Sequence, residues 1–562
     1  MIELSVDGEQ LALPEDARIS IERNSPVLND DVGTFSTPFP VPTEENEAFL
    51  GFPGRLQRAN DLPTKEFKLG EDGFHILSGE IAIDGATDKE IGLILKSGTT
   101  AFSKKMENKM LSDVDFGSEP FQTIGSSIEG SFLNPLYATF TTWAGSNLWN
   151  NGKYRCAPFY AYNSDGQTKE VVNPVGGSGT LHILENRRYC LQFQIPFVIE
   201  KIFEHAGYRI SENILSLSVY SNAILYGKII KMMWGSDIVE EPPVEYFYYN
   251  SPDFSGTLNY SDLMPEISVN DFIDKVKTLF NITFEVNERF KTVSIYKNDS
   301  IFDPANKESL QNYAEVEGRD HGEREETNGF ILFYTDQDDE SATDYKYTVS
   351  GNVATYANLP SPGVSYEDLI FKITATQREY ICKKTDTTVW EWQRIGRLKP
   401  VTSGDADEEF EIDFKVPENL YHTVTIDEST TVDIEIPFLN ITLVDDALID
   451  VDKYISLWRG QRIYSTINFP YVNAERYSID ESIDGIYSLL PDYLYAELYN
   501  KFILWKSSRA KPLTKFIEMP IVDAMALRFG KRYRVDEVYL LFDKIALELP
   551  YPGYIRIEAY TT

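Results

Sequence analysis

The amino-acid sequence predicts an α+β protein that is mainly β, built from several β-barrel-like or sandwich-like domains with short helices. Three observations lead to this prediction. Aromatic residues make up 13% of the 562 residues, with 34 Tyr and 33 Phe, and both types favour half-buried pleated strands. The apolar share of 42% and the charged share of 25% are typical of globular chains. Short segments in which apolar and polar residues alternate recur along the chain, as expected for strands.

The amino-terminal segment predicts a β-hairpin. Apolar residues alternate over residues 2–6, and Asp7-Gly8 follows as a type I′ turn dipeptide. Residues 74–95 again alternate, so we expect two more short strands there, joined by a turn centred on Gly85.

Two segments in the middle of the chain are similar to each other. Residues 198–210, VIEKIFEHAGYRI, align without a gap over residues 272–284, FIDKVKTLFNITF. Gly207 and Asn281 fall at the same offset, and both residue types accept the left-handed conformation that ends a helix. Each copy therefore predicts a short amphipathic helix, a stop and a strand. An internal duplication and a chance resemblance of two amphipathic helices both explain the match.

The negative charge is concentrated in two blocks. Residues 301–350 contain 13 acids and 4 bases, and residues 401–452 contain 15 acids and one base. Residues 366–398 between them predict two strands around a turn, with Trp390 and Trp392 on one face. A self-contained insertion and the solvated strand faces of one larger domain both account for this pattern.

The carboxyl-terminal segment differs in charge. Residues 453–562 carry a net charge of +2, whereas residues 1–452 carry −38. Pro491 opens a predicted helix through Trp505, because Leu494, Leu498 and Phe502 recur at helical spacing. Antiparallel strands are predicted to follow it.

These patterns divide the chain into five regions. They are an N-terminal β-rich domain at 1–100, a loop-rich β segment at 101–190, two helix–strand units at 191–300, an acidic β region at 301–452 with a hairpin insertion near 366–398, and a carboxyl-terminal helix with antiparallel strands at 453–562.

A search for catalytic chemistry finds no motif. The chain has no G-x-S-x-G, H-E-x-x-H, C-x-x-C or phosphate-binding loop, and its three cysteines form no metal-spaced pair. We therefore predict no catalytic residues, no cofactor and no enzymatic activity. One acidic run has the carboxylates that hard cations prefer but lacks the glycine of an EF-hand loop, which makes it a weak ion-site candidate. Its members are Asp336, Asp338, Asp339, Glu340 and Asp344.

The formal net charge of −36 excludes other classes. A nucleic-acid binder needs clustered bases that displace counterions from phosphate, and an anionic membrane surface makes the same demand. The first ten residues lack the charge and apolar run of a signal peptide, and no stretch is long and apolar enough to span a membrane. We expect synthesis in a cytoplasm with no export route encoded in the sequence.

Three stretches resemble tail hub proteins of bacteriophages, the group that includes baseplate hubs of contractile tails and tail-tip proteins of long flexible tails. Two are the similar segments at 198–210 and 272–284, the second preceded by Pro265–Asn270. The third, Tyr499–Glu548, is similar to the final helix and strands of hubs in phages of Bacteroidetes hosts. The resemblance covers about a third of the chain and does not extend over residues 100–180.

The resemblance implies a structural virion protein at the tail tip, made in the bacterial host cytoplasm. It implies a ring of copies, three by expectation, whose barrel-like domains continue the tail tube and contact tip or fibre proteins while DNA passes without binding. An alternative is a carbohydrate-binding adhesin or receptor-binding tail component, in which exposed tryptophans stack on sugar rings. Its candidate contacts are Trp143, Trp149, Trp390 and Trp392. A hydrolase whose carboxylates are hidden in the acidic background is a third hypothesis.

Overall fold

A computed structural model gives the fold of the chain. It describes residues 1–28, 33–53, 65–120, 153–166, 168–173, 188–213, 215, 218–231, 233–237, 244–248, 257–313, 315, 320–321, 329–335, 347–350, 369–373, 378–384, 389–398, 400–404, 408–427, 430–446, 448–464, 467–472, 488–508 and 511–562. The predicted fold class is confirmed, because these residues form several β-sheets, including a half-barrel, with a few short helices.

The amino-terminal part consists mainly of strands. They are β1 (Ile2–Val6), β2 (Glu9–Gln10), β3 (Ile19–Asn24), β4 (Thr34–Ser36), β5 (Phe39–Pro42), β6 (Lys65–Glu71), β7 (Phe74–Ala86), β8 (Glu90–Ser97) and β9 (Ser118–Pro120), with helices α1 (Thr43–Asn46) and α2 (Thr99–Lys105). The predicted first hairpin is confirmed, since β1 pairs with β2 and both Asp7 and Gly8 have positive φ.

The predicted turn at Gly85 is wrong. Gly85 lies inside β7, next to a shift in the β7–β8 register, and the chain turns after Ala86. The hydroxyl of Thr87 accepts hydrogen bonds there from the backbone N–H groups of Lys89 and Glu90. A threonine side chain that satisfies local backbone donors therefore forms the turn, and Gly85 marks a strand irregularity instead.

The central part contains the two predicted helix–strand units. Its strands are β10 (Tyr154–Arg155), β11 (Phe159–Tyr162), β12 (Lys169–Val172), β13 (Arg188–Gln194), β14 (Arg209–Asn213), β15 (Ala223–Lys231), β16 (Met233–Asp237), β17 (Val244–Tyr248), β18 (Thr257–Asn259), β19 (Ile282–Asn287), β20 (Thr292–Lys297) and β21 (Lys307–Ser309). Its helices are α3 (Ile195–His205), α4 (Ser218–Ser221) and α5 (Val269–Phe280). Both predicted helices and both following strands are confirmed.

The acidic region and the residues that follow it, up to 472, consist mainly of strands. They are β22 (Asp320–His321), β23 (Gly329–Tyr334), β24 (Tyr347–Ser350), β25 (Leu369–Ile373), β26 (Arg378–Lys384), β27 (Val389–Leu398), β28 (Val401–Gly404), β29 (Glu408–Ile412), β30 (Glu418–Asp427), β31 (Thr430–Thr442), β32 (Leu448–Ile449), β33 (Ile455–Tyr464) and β34 (Ile467–Val472). Strand β23 pairs directly with β28, and the four strands between them form a separate sheet in the order β24-β27-β26-β25. The chain therefore leaves and re-enters one sheet at neighbouring strands.

From Pro491 onward the chain follows the predicted order of a helix and antiparallel strands, whereas β33 and β34 of the same predicted region belong to another sheet. The elements of this last part are α6 (Pro491–Leu494), α7 (Asn500–Ser508), β35 (Pro512–Glu518), α8 (Ile521–Ala526), β36 (Arg532–Val535), β37 (Val538–Leu549) and β38 (Tyr554–Thr561). A π-helical turn at Tyr495–Tyr499 joins α6 to α7, so the helical run is continuous from Pro491 to Ser508. Leu494, Leu498, Phe502 and Trp505 are buried, as their spacing predicts.

One large sheet unites the two ends of the chain. Its main path runs β2-β1-β6-β7-β8-β4-β3-β37-β38-β35-β22. Strand β3 pairs antiparallel with β37, from Ile19 opposite Leu549 to Asn24 opposite Lys544. Apolar residues from both ends share one hydrophobic core, among them Leu4, Ile21, Ile545 and Ile557. Regions 1–100 and 453–562 therefore contribute strands to the same sheet.

Candidate assembly site

The two similar segments form one small sheet. Its strand order is β14-β20-β19, in which β14 runs parallel and β19 antiparallel to the central β20. Gly207 and Asn281 end the two helices with φ of 85° and 47°, both in the left-handed region that such stops require. The corresponding strands of the two units therefore flank the same partner strand, and the two units are packed together.

A helix from the large sheet packs into this pair of units. Helix α2 follows β8 and places Phe102 against Phe203 of the first unit, with ring centroids 4.8 Å apart. Phe203 in turn lies 5.4 Å from Phe284 of the second unit. The side chain of Asn270 donates a hydrogen bond of 2.9 Å to the carbonyl of Ser103. Such aromatic contacts add about 0.5–1.5 kcal/mol per pair beyond burial, so the units and the large sheet are held together here.

The carboxyl-terminal helix lies against the second unit. The Asn281 side chain donates to the carbonyl of Leu498, and the hydroxyl of Tyr499 donates to the carbonyl of Thr278. The Asp299 carboxylate accepts a 2.9 Å hydrogen bond from the backbone N–H of Phe502. Burial raises the pKa of Asp299, and hydrogen bonds from the helix partly offset that effect. The stretch beginning at Tyr499 is thus joined to the segment 272–284 by specific polar contacts.

The loop between β19 and β20 is anchored by a buried acid. The Glu288 side chain is buried and accepts hydrogen bonds from the Tyr208 hydroxyl and from Lys291 Nζ. Burial raises the pKa of Tyr208, and the neighbouring Glu288 charge raises it further. The next two residues, Arg289 and Phe290, point outward and are called the loop tip below. Phe290 is 66% exposed, and the Arg289 guanidinium lies 5.3 Å from its ring centroid and 5.2 Å from that of Phe74.

The near-neutral carboxyl-terminal segment has its charges matched within the chain. Six of its described lysines form ion pairs with acids that precede residue 453. The pairs are Lys453 with Asp413, Lys501 with Asp303, Lys506 with Glu408, Lys515 with Glu315, Lys531 with Glu308, and Lys544 with Glu22. Several bases of the carboxyl-terminal segment therefore meet acids from distant parts of the chain.

The predicted site residues are only partly placed by the structure. Asp336, Asp338, Asp339 and Asp344 lie outside the described residues, as do Trp143 and Trp149. Trp390 and Trp392 lie in β27, at positions opposite Val349 and Tyr347 of β24. Among the described side chains, no group of three or more His, Cys, Asp or Glu is arranged to hold a metal ion. No helix in the described ranges is long and apolar enough to cross a membrane.

Sequence reasoning missed the loop tip. The signal was present, because Asn287–Lys291 places an aromatic residue in a turn between two clearly alternating strands. What the sequence did not reveal is that Glu288 turns inward, which requires knowing that Tyr208 of the other unit lies beside it.

Comparison with known proteins gives weak likenesses. No family model and no curated protein matches the chain. Among solved structures, the 43 kDa tail protein of prophage MuSo2 from Shewanella oneidensis aligns over 100% of this chain and 98% of its own length, with 8% identity and a TM-score of 0.32. The tail protein from Neisseria meningitidis MC58 aligns over 100% and 95%, with 9% identity and a TM-score of 0.28.

Proposed function

We propose that this chain is a structural, non-enzymatic protein of a bacteriophage tail that forms the hub of the tail tip or baseplate. It assembles as a ring of copies, three by expectation, contacts tube, tip or fibre proteins and allows DNA to pass. In the virion it occupies the tail tip.

One observation carries the proposal. The three stretches that resemble tail hubs are far apart in the sequence, yet they pack as one body. Strand β14 pairs with β20, and Asn281 bonds to Leu498 next to Tyr499. One hydrophobic core contains Ile199, Phe272 and Ile503, which come from the two units and the final helix. Their packing into one unit supports the proposal that they act together as part of a hub.

The electrostatics support the same role. A channel for DNA should not bind the duplex. Basic walls would bind it by neutralising phosphates and releasing their counterions, whereas acidic walls repel the phosphates. The chain carries a formal net charge of −36, and lysines such as Lys506 and Lys531 near its end pair with its own acids, which supports an overall acidic assembly that would repel DNA.

Two measurements test the proposal. Negative-stain images of the purified full chain should show closed rings of a few copies, and gold-labelled antibodies should mark one end of the tail on virions. Antibodies against a capsid protein provide the control. A chain that stays monomeric and is absent from purified virions would overturn the hub assignment.

The adhesin alternative keeps one specific motivation, the placement of Trp390 and Trp392 two residues apart in β27. A glycan array separates the two hypotheses. Binding that disappears in the double variant Trp390→Ala, Trp392→Ala would favour the adhesin, and no binding to any glycan would remove it.

A further inference from the structure

The π-helical turn at Tyr495–Tyr499 interrupts the last helical run, which extends from Pro491 to Ser508. A π turn contains one residue more than the α-helical turn it replaces, so the parts of the run before and after it are out of α register. Such turns are rare and frequently occur at functional sites. Contacts outside the helix are therefore needed to hold this one.

Side chains from residues 281–299 bind two successive carbonyls at this turn. Lys297 Nζ donates a hydrogen bond to the carbonyl of Glu497, and the side-chain amide of Asn281 donates one to the carbonyl of Leu498. In an uninterrupted α-helix, each carbonyl would accept a hydrogen bond from the backbone N–H four residues later. Here each accepts one from a side chain that is about two hundred residues away in the sequence.

The matching N–H groups bind a third side chain of the same segment. The Asp299 carboxylate accepts a 2.9 Å hydrogen bond from the N–H of Phe502 and another from the N–H of Lys501. These two N–H groups lie four residues after the two carbonyls. Asp299 is buried, where hydrogen bonds are stronger than in water. The donors and the acceptors of two successive α-helical hydrogen bonds are therefore bound by side chains outside the helix.

The part of the run before the π turn contacts strand β23, which is followed in the chain by the separate sheet β24-β27-β26-β25. The ring of Tyr495 stacks on that of Phe330, with ring centroids 4.8 Å apart and planes inclined by 17°. The Tyr334 hydroxyl donates a 2.6 Å hydrogen bond to the carbonyl of Leu489, just before the run begins. A change of register in this part of the run would therefore change the contacts of β23.

We propose that the π turn is a latch: the three side chains hold residues 491–498 one position out of α register, and their release moves this part of the run together with β23. The part after the turn stays in place, because Trp505 Nε1 donates a 2.8 Å hydrogen bond to the carbonyl of Thr561 in the large sheet. One position of register corresponds to a rotation of about 100° and a shift of about 1.5 Å. This device goes beyond the proposed function, because it requires neither a second copy nor a tail.

The first test is the structure of the full-length double variant Asn281→Gly, Lys297→Met. Both carbonyls lose their side-chain donors, while glycine keeps the left-handed backbone at position 281. The π turn should become α-helix, residues 491–498 should shift by about 1.5 Å, and the stacking on Phe330 should be lost. The control Lys277→Met removes a lysine that pairs within helix α5, and it should leave the π turn in place. A double variant that keeps the π turn and the stacking would overturn the latch.

A second measurement decides the matter if the double variant does not fold. Deletion of Ala496, which is exposed, should convert the π turn into α-helix with both parts of the run in place, because a π turn contains one extra residue. Lys297→Met should lower the urea midpoint of the natural chain but leave that of the shortened chain unchanged. An equal fall in both chains would overturn the latch and leave the hub assignment standing.

Discussion

The side-chain amide of Asn281 donates a hydrogen bond to the backbone carbonyl of Leu498 across 2.5 Å, joining the end of helix α5 to the last helical run. The same side chain accepts a 2.9 Å hydrogen bond from Asn298. Asn281 also has φ of 47°, so one buried residue ends a helix and connects three segments.

Replacing Asn281 should therefore be costly. Asn281→Ala loses both side-chain hydrogen bonds and leaves alanine, which adopts the left-handed conformation less readily than asparagine, at φ of 47°, so we expect the free energy of unfolding to fall by about 2–4 kcal/mol. Asn281→Gly loses the same hydrogen bonds, but glycine adopts the left-handed backbone conformation without strain. It should therefore be less destabilising than Asn281→Ala by about 1 kcal/mol. Urea unfolding measures both.

The matched control is Gly207→Ala in the first unit. Gly207 has φ of 85°, and an added Cβ would contact only Lys105 Nζ at 3.7 Å, so backbone strain of about 1–2 kcal/mol is the expected cost. Equal losses for Asn281→Ala and Asn281→Gly would contradict the assignment of strain to that position.

A close approach of backbones at Gly227 gives a second prediction. A Cβ there would lie 2.7 Å from the carbonyl oxygen of Leu263 and 2.8 Å from that of Leu191. Because both obstacles are backbone atoms, Gly227→Ala should lose about 3 kcal/mol or more, or fail to fold. Gly85→Ala, also in a strand but with nothing within 4 Å of the new Cβ, should change thermal stability little. Comparable melting temperatures for the two variants would be the contrary result.

The ion cluster at Asp413 predicts a dependence of stability on pH. Burial by itself would raise the pKa of Asp413, but hydrogen bonds and charges from Lys275 and Lys453 outweigh it and lower the pKa. A lowered carboxyl pKa stabilises the fold above the ordinary value of about 4, and that contribution is lost as the pH falls through the lowered value. Asp413→Asn should therefore reduce the free energy of unfolding by about 1 kcal/mol at pH 7. It should also make the free energy of unfolding fall less steeply as the pH is lowered.

Asp445→Asn is the control for that cluster. Lys231 lowers the pKa of Asp445 too, but the Asp445 side chain is 84% exposed, so solvent screens the pair. Denaturation between pH 3 and 7 should match that of the natural chain. If the stability of the Asp413→Asn variant falls at acid pH as steeply as that of the natural chain, the pKa of Asp413 is the same in the folded and unfolded states.

The shared sheet predicts the behaviour of fragments. A fragment of residues 1–110 contains β3 but lacks β37, which pairs with it along Ile19–Asn24. We expect it to aggregate, because an unpaired apolar strand edge favours association. Fusing residues 511–562 to it through a short flexible linker should restore cooperative unfolding. A folded, monomeric 1–110 fragment on its own would show that β37 is dispensable.

Local features were predictable from the sequence because they depend on neighbouring residues. The Asp7-Gly8 turn, the stops at Gly207 and Asn281, and the helix starting at Pro491 each follow from the conformations those residue types accept. The pairing of β3 with β37 joins segments some five hundred residues apart. Alternation of apolar and polar residues predicts that each is a strand, but it does not predict which strands pair. The inward position of Glu288 likewise depends on Tyr208, which belongs to another unit.

The insertion and the charge pattern show the same limit. Composition suggested a separate segment near 366–398, but the pairing of β23 with β28 was needed to show how the chain returns to its sheet. The +2 charge of residues 453–562 is a net value, whereas individual lysines of that segment pair with acids such as Glu22 and Asp303. A sum of charges carries no information about which charges meet.

The pairing of β3 with β37 also has a consequence for folding during synthesis. Strand β3 leaves the exit tunnel early, but its partner is among the last strands to be made. At about 5–20 residues per second, roughly half a minute to two minutes pass before the partner exists. The nascent chain must keep that apolar edge from pairing with other chains for the whole interval, so a host chaperone that holds the first hundred residues should raise the yield of soluble protein.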